Sequence, residues 1–287
     1  TKLQQAVLPN SVEHVGNGAF AGCTQMEKLV LSNNLRTIGN SAFMNISISE
    51  ITIPSSVTRI EYCGFYKIPT LRIIKFADKS QLEMIGSYSF ASAGISSIKI
   101  PASVRAIDEH AFSKCSDLTS LQFIDNSQLE TIGSCAFSAT KISTVKIPKS
   151  VKTISESAFY HCNDLTAIQF EEGSGLQTIA ADCFQKTQIS TVKLPNSIES
   201  FDFSCSPLSK IDFLQAPNIY SLPTSCLEFT LITEVAIPKN ITVIDPNAFH
   251  SCANLVTVKL DPMSQLQKIG LRAFCNCSQL TTMNLPE

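Results

Sequence analysis

Apolar residues fall along this chain in short period-two bursts, separated by polar stretches that end on a buried-type Ala-Phe pair. Aligned on the phenylalanines, the anchors are Phe20, Phe43, Phe65, Phe90, Phe112, Phe137, Phe159 and Phe184, then Phe249 and Phe274. From Phe43 the steps run 22, 25, 22, 25, 22 and 25, a two-row cycle of 47 residues. Asp202 and Leu227 hold the register in two further rows, so the step from 184 to 202 is 18 and reads as a 22-residue row with four residues deleted. Before each anchor stands V-x-x-I-x-x-x-A-F; after it comes C-x-x-L-x-x-L-x-F or T-x-I-x-x-V-x-I-P, as in Leu118-Leu121-Phe123 and Ile142-Val145-Ile147-Pro148.

Alternation over the last three apolar positions of a row predicts a strand. Thirteen such segments run from Leu3-Ala6-Leu8 to Leu280-Met283-Leu285. Proline follows every second one (Pro9, Pro54, Pro101, Pro148, Pro195, Pro238) and ends it, because proline has no N–H for the next ladder bond. A row of this length cannot bury its apolar side alone, so the rows must stack. The expected architecture is an α/β solenoid, a horseshoe or curved arc of 12–13 stacked rows in a single domain over residues 1–287. Its parallel sheet would line the concave face, with short extended pieces and helical turns on the convex side, and an irregular short row would lie near residues 198–213. The short row, with Phe201, Phe203 and Pro207, reads as a deletion in a surface arc that could expose an aromatic ring.

The I-G-x-x-A-F-x-x-C-x-x-L signature, best seen at Ile85-Gly86 to Phe90, Ile132-Gly133 to Phe137 and Phe112 to Cys115 and Leu118, resembles the BspA-like class of leucine-rich repeats over essentially the whole chain. The resemblance implies a surface or secreted protein of adhesion and host interaction, without catalytic residues. Thr1 begins inside a row and Glu287 follows a strand, which leads us to expect a piece of a longer protein. The first residues carry no basic and then apolar leader, so export rests on the resemblance alone.

Composition changes the picture in two places. The chain of 287 residues has 11 Cys and no Trp, with only 16% charged residues and a formal net charge of −2. That charge gives no general attraction for nucleic acid or membrane surfaces. Six cysteines (Cys23, Cys115, Cys162, Cys205, Cys252, Cys277) share one register, three residues after the anchor, where Thr140, Thr187 and Thr230 stand in intervening rows. Rows stack about 4.8 Å apart, which puts cysteines two rows apart beyond disulfide reach. The cysteines are therefore expected to be unpaired core residues. Only Cys252 and Cys277, on adjacent rows, are within reach in principle.

Candidate chemistry is sparse. His14, His110, His161 and His250 share no spacing with a nucleophile or acid, and His161-Cys162 places its cysteine in the core register. Gly39, Gly86, Gly133 and Gly270 are turn positions rather than a phosphate loop, and the sequons at Asn45, Asn240 and Asn276 occur at about the chance rate. No metal or cofactor is expected.

The outward strand positions say more. Lys75, Lys99, Gln122, Lys146, Gln169, Lys193 and Lys259 form a column, beside hydroxylic positions such as Ser96, Thr119, Ser190 and Ser209. Acids such as Asp108, Glu109, Glu156 and Asp245 fall in the return turns. The column is either an ordinary solubilising face or a mildly basic recognition strip for a protein patch or an anionic glycan. Too few aromatics lie on it for nucleic acid. We expect a non-enzymatic binding and adhesion module at the cell surface. The alternatives are an intracellular scaffold, which the unpaired cysteines would suit, and an enzyme with a site built across rows.

Overall fold

The computed structural model describes residues 2–284, so Leu285 lies outside the described residues. Among them are thirteen strands of three or four residues and eleven of two residues, all parallel where paired. They fall into two compact units, Thr1–Ser143 and Thr144–Glu287.

In the first unit every row contributes two strands, one from each half of its pattern. The V-x-x-I half makes a two-residue strand. Six of these (His14–Val15, Thr37–Ile38, Arg59–Ile60, Met84–Ile85, Ala106–Ile107, Thr131–Ile132) form one unbroken ladder. The L-x-x-L-x-F or V-x-I-P half makes the longer strand, whose apolar residues point inward: Ile51, Ile53, Ile98, Ile100 and Leu121 are buried.

The longer strands pair in twos rather than in the one continuous sheet that the stacking argument suggests. Glu50–Ile53 pairs with Ile73–Phe76, and Ser97–Ile100 with Ser120–Phe123. Proline explains where the ladder stops. Ala77 N–H donates to the Ile53 carbonyl and Ile124 N–H to Ile100, each reaching back one row from just after its strand. Pro54 and Pro101 occupy that same position in alternate rows and have no N–H to give. A seam therefore opens at every second junction of the first unit.

The second unit repeats the plan with one irregularity. Thr144–Ile147 pairs with Ala167–Phe170, Thr191–Lys193 with Lys210–Asp212, and Glu234–Ile237 with Thr257–Leu260, which pairs in turn with Thr282–Asn284. Among the two-residue strands, Thr153–Ile154 pairs with Thr178–Ile179, and Ser221–Leu222, Val243–Ile244 and Lys268–Ile269 form a ladder. In the short row the second strand shrinks to a single bridge, Thr178 to Ser200.

No helix occurs among the described residues, so the expected α/β class and its helical turns are overturned; the fold is all β. The cause lies in two left-handed residues per regular row, two positions before and two after the anchor, of which the short row keeps only the second, Cys205. Around Phe43 they are Ser41 (φ 53°) and Asn45 (φ 57°); around Phe112, His110 (φ 56°) and Lys114 (φ 58°). A left-handed residue every fourth position ends each right-handed turn before it can propagate. Alternate amides close turns within the row, Met44 to Ser41 for instance, while Ser41, Phe43 and Asn45 N–H groups reach the next row's Tyr62, Gly64 and Tyr66 carbonyls. Each left-handed L-residue costs about 1–2 kcal/mol, which these inter-row bonds offset.

The anchors stack as a column of rings. Centroids of Phe43, Phe65, Phe90, Phe112 and Phe137 follow at 5.2, 5.3, 5.5 and 5.4 Å, with planes within 16° of parallel. The recurring Ile-Gly step has a packing cause rather than a turn cause. A Cβ on Gly133 would lie 2.7 Å from the Asp108 carbonyl carbon, so the backbones of two rows meet there.

The short row corrects our register by one residue. Phe203, not Asp202, stacks on Phe184 at 5.2 Å, and its N–H bonds the Cys226 carbonyl just as Phe43 bonds Gly64. Counted this way the step is 19 residues and the deletion is three. No ring is exposed by it: Phe201, Phe203 and Phe213 are all buried.

Candidate functional site

The cysteine register is structural chemistry rather than a site. The cysteines form no disulfide among the described residues. Cys115 Sγ donates to the Phe90 carbonyl at 3.2 Å and Cys252 to Leu227 at 3.0 Å, each one row back. Thr230 Oγ1 donates to the same Leu227 carbonyl at 2.7 Å. Alternation of Cys with Thr thus fills both lone pairs of one anchor carbonyl from two rows. Burial pushes the Cys115 thiol up to about 12 and the Cys252 thiol to about 11, which removes their nucleophilicity. Cys277 bonds the Phe249 carbonyl at 3.1 Å and forms no disulfide with Cys252. Cys205 departs from the expected core column: it is exposed, left-handed at φ 54°, and Ser206 holds the register instead through a hydroxyl bond to Phe203. The same one-residue shift moves both.

Two histidines meet hydroxyls, His14 Nδ1 at 2.7 Å from Thr37 Oγ1 and His250 Nδ1 at 3.5 Å from Ser251 Oγ. His161 Nε2 meets Lys186 Nζ at 3.0 Å while Cys162 is buried behind it. His250 Nδ1 meets Glu228 at 2.8 Å, a half-buried ion pair if the ring is protonated. Asn240 spends its amide on the Ala216, Pro217 and Ile219 carbonyls, so that sequon is committed to packing. No group of three or more His, Cys, Asp or Glu residues that could hold a metal occurs among the described residues.

On the strand face, the column residues Lys75, Lys99, Gln122, Lys146, Gln169, Lys193 and Lys259 are all exposed. Parallel register brings some of them side by side. Lys99 lies opposite Gln122 and Lys146 opposite Gln169, whereas Lys75 faces Thr52 and Lys259 faces Ala236. Three lysines carry acids that the column reading overlooked. Lys75 reaches Glu50 at 3.4 Å, Lys146 reaches Glu171 at 3.6 Å and Lys259 reaches Glu234 at 2.8 Å. Hydrogen bonding to Lys259 holds the Glu234 carboxyl below its usual range. Glu50 and Glu234 stand two positions before the outward residues Thr52 and Ala236, so period two alone places them on the same face. That signal was available from sequence. Hydroxyls of the neighbouring position are also engaged: Thr119 donates to the Ser96 carbonyl and Ser209 to the Ser190 carbonyl.

Clefts lie at two of the proline seams. One, about 420 Å³, is lined in the first unit by Val30, Asn33, Glu50, Thr52 and Ser55. The other, about 580 Å³, is lined in the second unit by Gln169, Glu171, Glu172, Lys193 and Asn196. The second brings two column residues, Gln169 and Lys193, to one opening.

The turn side of the first unit carries a different surface. Tyr88 stacks on His110 with centroids 4.5 Å apart, and Tyr62 and Tyr66 meet Tyr88 edge-on at 5.8 and 6.1 Å. An aromatic pair of this kind contributes about 0.5–1.5 kcal/mol. Tyr88 and His110 both hold left-handed backbone, at φ 57° and 56°.

Comparison with known proteins completes the picture. The sequence matches the BspA type leucine rich repeat region in six copies, over residues 1–119, 83–206 and 197–287. No curated protein matches it. Among solved structures, a leucine-rich repeat protein from Bacteroides ovatus is 26% identical with a TM-score of 0.73, over 96% of this chain and 70% of that one. A leucine rich cell surface protein from Faecalibacterium prausnitzii is 22% identical with a TM-score of 0.50, over 98% and 78%.

Proposed function

Because the chain belongs to the BspA-type leucine-rich repeat family, we propose that it is a non-enzymatic binding module that engages a protein partner through the outward face of its longer strands. The observation that carries this is the exposed, in-register row of polar side chains on paired strands, opened by clefts at the proline seams. Such a face offers area and spaced hydrogen-bonding groups rather than a deep pocket with converging titratable groups. Three of its five lysines sit beside carboxylates. Local charge is therefore mixed, which suits a protein surface of alternating charge better than a polyanionic glycan. Lys99 and Lys193 form no ion pair with described residues and are the basic groups a partner would meet.

We place the protein at the cell surface as an adhesin-like module. Support comes from the family and from the Faecalibacterium relative, which is itself described as a cell surface protein. No helix among the described residues is long and apolar enough to cross a membrane.

The test is binding of the purified chain to a panel of immobilised extracellular proteins, compared with the double variant Lys99→Glu/Lys193→Glu. Weakening of a detected interaction by about tenfold or more supports the strand face. An unchanged affinity removes it. Antibody labelling of unpermeabilised source cells tests location, and labelling seen only after permeabilisation favours the intracellular scaffold.

A further inference from the structure

The left-handed position two before each anchor holds small or polar residues in most rows of the chain: Ser41, Cys63, Cys135, Ser157, Asp182 and Asn247. Rows anchored on Phe90 and Phe112 break that habit with Tyr88 and His110. Tyrosine is bulky for a left-handed position, and the stack of Tyr88 on His110 offsets part of that cost.

What these rings build is continuous. Tyr62 and Tyr66 flank their own row's anchor, Phe65, and both touch the Tyr88 ring, which in turn stacks on His110. Four rings thus span three rows, and Tyr62 is 52% exposed. Polar groups border them. Arg59 holds Glu61 at 2.9 Å, Glu109 lies 3.5 Å from His110 Nε2, and Lys67 sits 5.1 Å from the Tyr66 centroid. Asp108 is half-buried in the same turns.

We propose that Tyr62, Tyr66, Tyr88 and His110 form a stacking platform for an uncharged oligosaccharide, on the turn side of the first unit and separate from the strand face. The C–H face of a pyranose ring is apolar and packs against aromatic faces, while its hydroxyls both donate and accept. The rim supplies both kinds of partner: guanidinium and ammonium donors at Arg59 and Lys67, carboxylate acceptors at Glu61 and Glu109. Two cations against three carboxylates leave no excess positive charge to attract an anionic sugar, so a neutral chain is the occupant that fits.

The absence of Trp makes the test direct, because three of the five tyrosines lie on the platform and dominate intrinsic fluorescence. The intact chain is titrated with cellotetraose, chitotetraose and mannotetraose, and with a sialylated tetrasaccharide as the anionic control. A saturable change with at least one neutral sugar is expected. Its Kd should rise about tenfold or more in Tyr62→Ala/Tyr66→Ala, hold within about threefold in Tyr62→Phe/Tyr66→Phe, and be unaffected by Tyr160→Phe in the second unit. Should the double alanine variant fail to fold, Tyr62→Ala alone carries the test, since its ring is half exposed. Three results overturn the platform: no response to any neutral sugar up to about 10 mM, tighter binding of the anionic one, or binding indifferent to the tyrosine-to-alanine changes.

Discussion

A regular row and the short row solve one problem with different lengths of chain. In the row of Phe112 the ring lies between Phe90 and Phe137, and Cys115 bonds back to the Phe90 carbonyl. In the row of Phe203 the second strand is reduced to one bridge. Even so, the ring still stacks on Phe184, Ser206 still donates to the anchor carbonyl and the amide of Phe203 still reaches the next row. What the fold requires of a row is therefore a buried apolar anchor, a ring in most rows and Leu227 in one, with its carbonyl contacts; the arc between them tolerates deletion. Burial pushes the Asp202 carboxyl upward in pKa, as it does Asp108 in a regular row, although Ser204 N–H donates to Asp202 at 2.7 Å.

The largest effect separating the two rows should come from the rings. Phe112→Ala is expected to cost about 3–5 kcal/mol in urea denaturation, with Phe203→Ala toward the low end because its next-row neighbour in the register, Leu227, is not aromatic. Equal losses would mean that ring stacking along the column adds nothing beyond burial. Next comes Gly133→Ala, expected to cost about 1–3 kcal/mol by forcing two rows apart, whereas the short row carries Asp202 at that strand position, two residues after the Ser200 bridge.

Asp202→Asn should act in the opposite direction. The folded carboxyl titrates above its unfolded value, so wild-type stability is fullest below the unfolded pKa and declines as pH rises through the folded one. The amide keeps an acceptor for Ser204 and removes the buried charge. Thermal melts should show the variant more stable at pH 7 and the gain fading toward acid; a gain independent of pH would contradict the burial argument. Smallest in energy is Cys205→Ser, expected to stay within about 0.5 kcal/mol of wild type. Its counterpart is thiol labelling of the native chain. Cys205 and Cys275, both exposed, should react, whereas Cys115 and Cys252 should wait for unfolding.

Periodicity made the rows, strands, proline stops and buried Phe column legible before any coordinates. It could not place the short row, because counting from Phe184 cannot tell Asp202 from Phe203, whereas ring stacking can. Helical turns were expected since short turn-rich arcs permit them; the paired left-handed residues that forbid them, such as Cys63 and Lys67, have no fixed residue type to read. The Lys/Gln column is visible by alternation, whereas the pairing of Lys75 with Glu50 and of Lys259 with Glu234 joins side chains of two different rows and is set by the parallel register. Tyr62, Tyr66, Tyr88 and His110 were invisible as a group: they occupy three different registers, and only the stacking of rows brings them together.

The proline seams have a mechanical consequence. Every row is only about 4.8 Å thick, yet its 22 to 25 residues span about 80 Å when pulled straight. A tensile load on the chain would find the weakest shear planes at the seams, where the longer strands share no ladder. Rows would then yield in pairs, each event paying out one 47-residue cycle, about 160 Å of slack, before the next pair bears force. Under tension such a chain lengthens in steps and dissipates load, where a continuous sheet would hold and then fail at once.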